Sequence, residues 1–170
     1  MQETVKQYIQ RILGHTEGKE PLQVQASTPK RLEQLVEGMS ASELKRRPAP
    51  DKWSILEIIT HLADAELVGA WRIRAILGAP GTSIQAYDQE AWLESMKYQD
   101  RNIHQSLAQF RILREANLQL FKLLSREQWE LYGMHSERGK ETIRHIVRMF
   151  AGHDLNHLQQ IERIVGAKAA

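Results

Sequence analysis

Three histidines in this chain have the type and the spacing to hold a metal ion. His153 and His157 stand four apart in the run His153-Asp154-Leu155-Asn156-His157. On a helix, residues four apart are turned about 40° from each other, one turn along the axis, so both imidazoles reach one point beside it. One helix with two ligands does not close a metal site, and a third ligand must come from elsewhere. His61, in the apolar stretch Ile55-Leu56-Glu57-Ile58-Ile59-Thr60-His61-Leu62, is the best placed. The fold is expected to bring His61 opposite His153 and His157.

Neutral imidazole suits zinc, nickel, copper and iron. Three neutral ligands leave the ion its full charge and at least one open position, as in catalytic rather than closed structural sites. Such an ion acidifies bound water and polarises a substrate oxygen. It serves equally to hold a small-molecule thiolate, and with no cysteine in the chain that thiol would be a co-substrate. Each ligand imidazole normally donates its other N–H to a neighbour. Asp64, one turn beyond His61, and Asp154, beside His153, are the candidates for that role, with Asn156 and Gln160 weaker ones. Glu57 lies one turn before His61, but its place in a capping box with Ser54 explains it better.

A helical His-x-x-x-His pair is a weak signal in a chain with seven histidines. His145 is rotated about 80° from His153 and reads as a partly exposed helix residue. His15 and His104 read as surface positions. His135, in a glycine-flanked loop, is a candidate for a pocket mouth. Trp53, Trp92 and Trp129 read as core or rim aromatics. Tyr87 and Asp88 are placed to contact substrate, although Asp88 has a competing role as a helix cap.

The elements that must position these residues are helical. Residues 3–14 form a short amphipathic helix, and Gly14, Gly18 and Pro21 break it. Thr28-Pro29 reads as the start of a second helix, over about 28–39. Ser54 and Glu57 open a long helix to about 77, apolar on more than one face and therefore central. Two more, at about 100–124 and 140–165, complete a four-helix bundle with short extra helices at the N-terminus and between the main ones. Gly133 through Gly139 reads as a loop, and no strand is expected. The fold class is all-α, one domain over residues 1–170, with 1–26 as an extension packed on the bundle. Helix order does not follow from the sequence.

Composition agrees. At 170 residues about 70% of the unfolded surface can be buried, so a core needs no staples. The formal charge of +2 is small and its carriers are interleaved, so nothing calls for nucleic acid. No apolar run approaches the roughly 18–20 residues that span a membrane, and no leader segment is recognised, so a cytoplasmic location is expected.

In order along the chain, several pieces match one pattern. Trp53-Ser54 leads to Glu57, His61 and Glu66. Tyr87-Asp88-x-x-x-Trp92 follows, then Gly133-x-His135-x-Glu137-x-Gly139-x-x-Thr142, then His153-Asp154-x-x-His157-x-x-Gln160-Ile161. The chain resembles the DinB-like superfamily of metal-binding four-helix bundles, which includes YfiT-type metal-dependent hydrolases. The resemblance runs from about Thr28 to Ile164. It implies a site of His61, His153 and His157 for a divalent transition ion, with zinc or nickel favoured, and a bundle that forms homodimers. It does not imply one reaction, since relatives include transferases and isomerases that use low-molecular-weight thiols. Three readings follow: a small-molecule enzyme of the thiol-dependent S-transferase or hydrolase type, a non-catalytic metal-binding or interaction bundle, and a plain bundle with three satisfied histidines.

Overall fold

Side-chain caps set where most of the helices begin. The structure, a computed structural model, describes residues 3–166. Among those residues the elements are α1 (Val5–Gly14), α2 (Pro21–Val36), α3 (Ala41–Lys45), α4 (Ile55–Gly78), β1 (Ser83–Ile84), α5 (Gln89–Ser95), a 3-10 turn (Tyr98–Asp100), α6 (Ile103–Lys122), α7 (Arg126–Trp129), β2 (Tyr132–His135), β3 (Gly139–Thr142) and α8 (Ile143–Gly166). Thr4 with Gln7, Ser40 with Glu43, Ser54 with Glu57 and Ser125 with Gln128 form reciprocal capping boxes. Asp88 and Asn102 accept from the first backbone N–H groups of α5 and α6. Each cap satisfies donors that a helix start leaves without partners.

The four long helices form the expected bundle. α4 packs on α6 and α8, and α2 packs on α8 and α6. The cyclic order is therefore α2, α6, α4, α8, and the two histidine-bearing helices are neighbours. Residues 55–66 of α4 are buried without a break, as befits a helix with neighbours on several sides. The apolar core has two large parts, beside a small cluster of Val24, Ala151 and Leu155. One gathers Leu32, Ile55, Ile58, Ile59, Phe110, Leu158 and Ile161. The other gathers Ile73, Ile76, Ile84, Phe121, Ile143 and Val147. On α4, α6 and α8 the stretches between these two parts carry the buried polar residues, Asp64, Glu66, Arg114, Asn117, Asp154 and His157. α1 packs on α8, where Gly152 lets the backbones touch: a Cβ there would stand 2.1 Å from the Ile12 carbonyl oxygen.

Two expectations are corrected. α2 begins at Pro21, with Thr28 and Pro29 buried inside it. Thr28 Oγ1 donates to the Val24 carbonyl and caps nothing. Proline inside a helix leaves the carbonyl four residues back without its usual donor; here that is Gln25, whose carbonyl accepts instead from Arg114 Nη1 at 3.0 Å. The second correction is a small sheet where a loop was expected. β2 and β3 form an antiparallel hairpin, and β1 adds in parallel to β2, pairing Ile84 with His135. Residues 136–138 form the loop, and Gly139, the first residue of β3, takes the left-handed conformation with φ of 75° as the chain turns back. Gly133 admits the Ile84 side chain, which would lie 2.4 Å from a Cβ at that position.

Candidate metal centre

His61 comes from the second turn of α4, and His153 and His157 from the middle of α8. Their Nε2 atoms converge. His61 and His153 Nε2 are 3.0 Å apart, and His153 and His157 Nε2 are 3.1 Å apart. These three residues form a group that could hold a metal ion, with one ligand atom from each within 4.8 Å of the others. A metal–nitrogen bond of 2.0–2.1 Å in a tetrahedral set holds nitrogens about 3.3 Å apart, so small outward shifts would admit an ion. The donor set itself fits. A single proton serves one of the two short contacts well, whereas a cation at the meeting point serves all three lone pairs.

The surroundings keep these rings neutral and fixed. Burial holds the His61 and His153 imidazoles well below their ordinary pKa, and the neighbouring His157 adds to it in both cases. Burial brings His157 down to about 4, against a small opposing effect of its hydrogen bond to Gln160. That bond joins His157 Nδ1 to Gln160 Oε1 at 3.0 Å. An amide oxygen only accepts, so Nδ1 carries the proton and Nε2 turns a lone pair inward. Trp53 closes one side: its ring stands edge-on to His61 at 5.0 Å and lies parallel to His157 at 6.4 Å. Its indole N–H donates to Glu90.

The two aspartates expected beside the rings hold other groups. Asp64 accepts from Tyr98 Oη at 2.8 Å and from Gln109 at 3.2 Å. Asp154 accepts from both Nη atoms of Arg114, at 2.6 and 3.1 Å. Both residues support the helices that carry the triad. Gln160, ranked lower in the sequence, is the residue bonded to a triad ring. The i, i+3 spacing from His157 was the signal that could have ranked it first. Glu57 caps α4 as expected and also pairs with Arg47.

A cavity of about 330 Å³ adjoins the triad. His61, His153, Ala65, Met149 and Phe150 form one part of its wall, and Arg72, Tyr87, His135 and Arg138 another. Tyr87, read from the sequence as a candidate for substrate contact, lines this cavity. His135 is buried at the end of β2 and also lines the cavity. His145 is half-buried near Glu141, and His104 is exposed. No helix among the described residues is long and apolar enough to cross a membrane.

Comparison with known proteins agrees with this geometry. The solved structure of YfiT from Bacillus subtilis, described as a probable metal-dependent hydrolase with an unusual four-helix bundle topology, superposes with a TM-score of 0.83 at 21% identity, covering 99% of this chain and 91% of that one. In sequence, the "Putative metal-dependent hydrolase YfiT" of Bacillus subtilis is 26% identical over 84% of this chain and 81% of its own length. BH0277 of Halalkalibacterium halodurans, which carries the same description, is 24% identical over 79% of this chain and 78% of its own length. The pattern of the DinB superfamily matches residues 26–161. With most of its length matched, the helices in place and three histidines meeting between α4 and α8, the chain belongs to the DinB superfamily.

Proposed function

We propose that this protein is a divalent-metal-dependent enzyme acting on a small molecule, a hydrolase first and a thiol-dependent S-transferase second, with His61, His153 and His157 as the metal ligands. One observation carries the reading: three histidines converge beside a cavity large enough for a small organic molecule, and two of them, His61 and His153, line it. The names of the sequence relatives support hydrolysis over the alternative. Imidazole ligands suit zinc, nickel, copper and iron alike, and the family resemblance favours zinc or nickel among them.

A divalent ion in the triad supplies Lewis acidity to the group that reacts. The chain does the rest. His61 and His153 line the cavity, so a substrate reaches the site from that side. Trp53 shields the rings of His61 and His157 with its indole face and edge. Gln160 fixes the tautomer of His157. Asp154, tied to Arg114, holds the part of α8 on which His153 rides.

Metal content by inductively coupled plasma mass spectrometry tests the reading, on wild type beside His61→Ala and His157→Ala. Near-stoichiometric zinc or nickel, lost in both variants, is expected. Protein that stays metal-free after incubation with zinc, nickel, manganese and iron(II) overturns it. Loaded protein is then offered model amides and esters, and separately a low-molecular-weight thiol with a model electrophile. Released acid identifies the hydrolase and a thiol adduct mass the transferase. A melting temperature that depends on metal, with neither product formed, leaves a non-catalytic metal-binding bundle.

A further inference from the structure

Arg72 is 6% exposed and lines the cavity. One Nη donates to the Gln85 carbonyl, and the guanidinium lies over the Tyr87 ring at 5.9 Å. Among the described residues it makes no ion pair. Buried charges are almost always paired, because an uncompensated one gives up its hydration with nothing in return. Its neighbour Arg138 does not share this state. Arg138 is forked onto Glu141 at 2.7 and 3.0 Å, and its charge is matched.

His135 is 3% exposed and lines the same cavity. Its Nδ1 accepts from the backbone N–H groups of Glu137 and Arg138 at 3.2 and 3.3 Å. Nδ1 is thus the acceptor, and the ring proton sits on Nε2. That Nε2 has no hydrogen-bond partner among the described residues. Burial first, and Arg138 second, hold the ring to a pKa of about 4, so it is a neutral donor at ordinary pH. Among the described residues, the cavity wall thus has a buried cation without an ion-pair partner and a buried donor without an acceptor.

We propose that Arg72 and His135 form a carboxylate-binding site, and that the molecule acted on at the triad is a small organic acid whose reacting group lies away from its carboxylate. The claim deepens the reading above and rests on it for the word substrate; the carboxylate site itself needs no metal. Position supports it. Arg72 lies eleven residues beyond His61 on α4, which turns it only about 20° from His61 and about 16 Å along the axis. Ala65 lies between them on the same stripe, and its small side chain keeps the wall open. Side chains on a helix lean toward its N-terminus, so the guanidinium reaches back toward the triad. A planar two-oxygen group matches the edge of a guanidinium. One cation with one neutral donor balances a single negative charge. Glu3 and Glu137 at the rim disfavour a dianion such as a phosphate monoester.

The test is isothermal titration calorimetry with 4-phenylbutyrate and its uncharged amide. Wild type, Arg72→Met, Arg72→Gln and His135→Gln are each measured loaded with zinc and after chelation. Wild type is expected to bind the acid at least about tenfold more tightly than the amide in both states. Arg72→Met should erase that preference, and His135→Gln should reduce it severalfold. Arg72→Gln keeps a donor for the Gln85 carbonyl while removing the charge, so it reports even if Arg72→Met fails to fold. Equal binding of acid and amide by wild type overturns the site, and so does an acid preference that survives in either Arg72 variant. If that surviving preference also needs zinc, the metal reading stands and the carboxylate site falls. An Arg72-dependent preference in protein that takes up no metal sustains the site and overturns the metal reading.

Discussion

Arg114 and Arg72 are both more than nine-tenths buried, and the bundle surrounds them differently. Arg114, on α6, donates to Asp154 on α8, to Glu66 on α4 and to the Gln25 carbonyl on α2, and its guanidinium packs over Phe110. Burial alone would lower its pKa, but the two carboxylates outweigh that and raise it. One side chain thus ties together all four helices of the bundle. Asp154 follows His153 directly, so the same cluster sets where α8 lies against α4 and lets the triad meet. Arg72 has a backbone carbonyl and a ring, and a cavity beside it. The difference separates charge that closes a structure from charge that is left open to a ligand. Burial does not distinguish the two; the inventory of partners does.

The largest expected effect breaks the closed cluster. Arg114→Met leaves Glu66 and Asp154 buried without their cation and should cost about 3–5 kcal/mol in urea unfolding. Replacing Arg114, Glu66 and Asp154 together by apolar residues should recover much of that loss, since paired removal leaves no orphaned charge. A single variant of near wild-type stability would show that the cluster does not pin the helices. Next is Gln160→Ala, which frees His157 to rotate without touching an Nε2 atom. Zinc affinity, measured by competition with a chelator, should fall about 10–100-fold. An unchanged affinity would mean that Trp53 and the packing of α8 suffice to orient the ring. Smaller still is the effect of Arg72→Met on ligand-free stability, expected within about 1 kcal/mol of wild type, because removing an unpaired buried charge offsets the lost bond to Gln85. A loss as large as that of Arg114→Met would make Arg72 a structural strap and erase the contrast.

Local and periodic features of this molecule are legible in its sequence; features made by distant partners are not. The helical spacing of His153 and His157 and the apolar setting of His61 point to the triad directly. The capping box at Ser54 is read correctly because donor and acceptor lie three residues apart. The hairpin escapes because its strands are four residues long, one holds Gly133, and the third strand is two residues from far upstream. Thr28-Pro29 has the signature of a helix start, yet Pro21 supplies the same signature earlier and α6 supplies the donor that makes an internal proline tolerable. Asp64 and Asp154 look like neighbours of histidines along the chain, but Tyr98, Gln109 and Arg114 reach them first in space. The open state of Arg72 has no local signature, since it consists of an ion-pair carboxylate that none of the described elements brings.

The smallest effect probes how the closed cluster uses that proline. Pro29 leaves the Gln25 carbonyl to Arg114. Pro29→Ala introduces an N–H that competes for this oxygen and also enlarges the conformational freedom of the unfolded chain. In the wild-type background it should destabilise by about 1 kcal/mol. With Arg114→Met already present, the Gln25 carbonyl has lost its donor, and the new N–H restores a helical bond instead of competing with one. Pro29→Ala should then be neutral or stabilising, giving a coupling of at least about 0.5 kcal/mol in a double-mutant cycle. Strict additivity would mean that the carbonyl of Gln25 accepts from both donors without cost. Proline and guanidinium would then be neighbours in α2 and α6 that do not depend on each other.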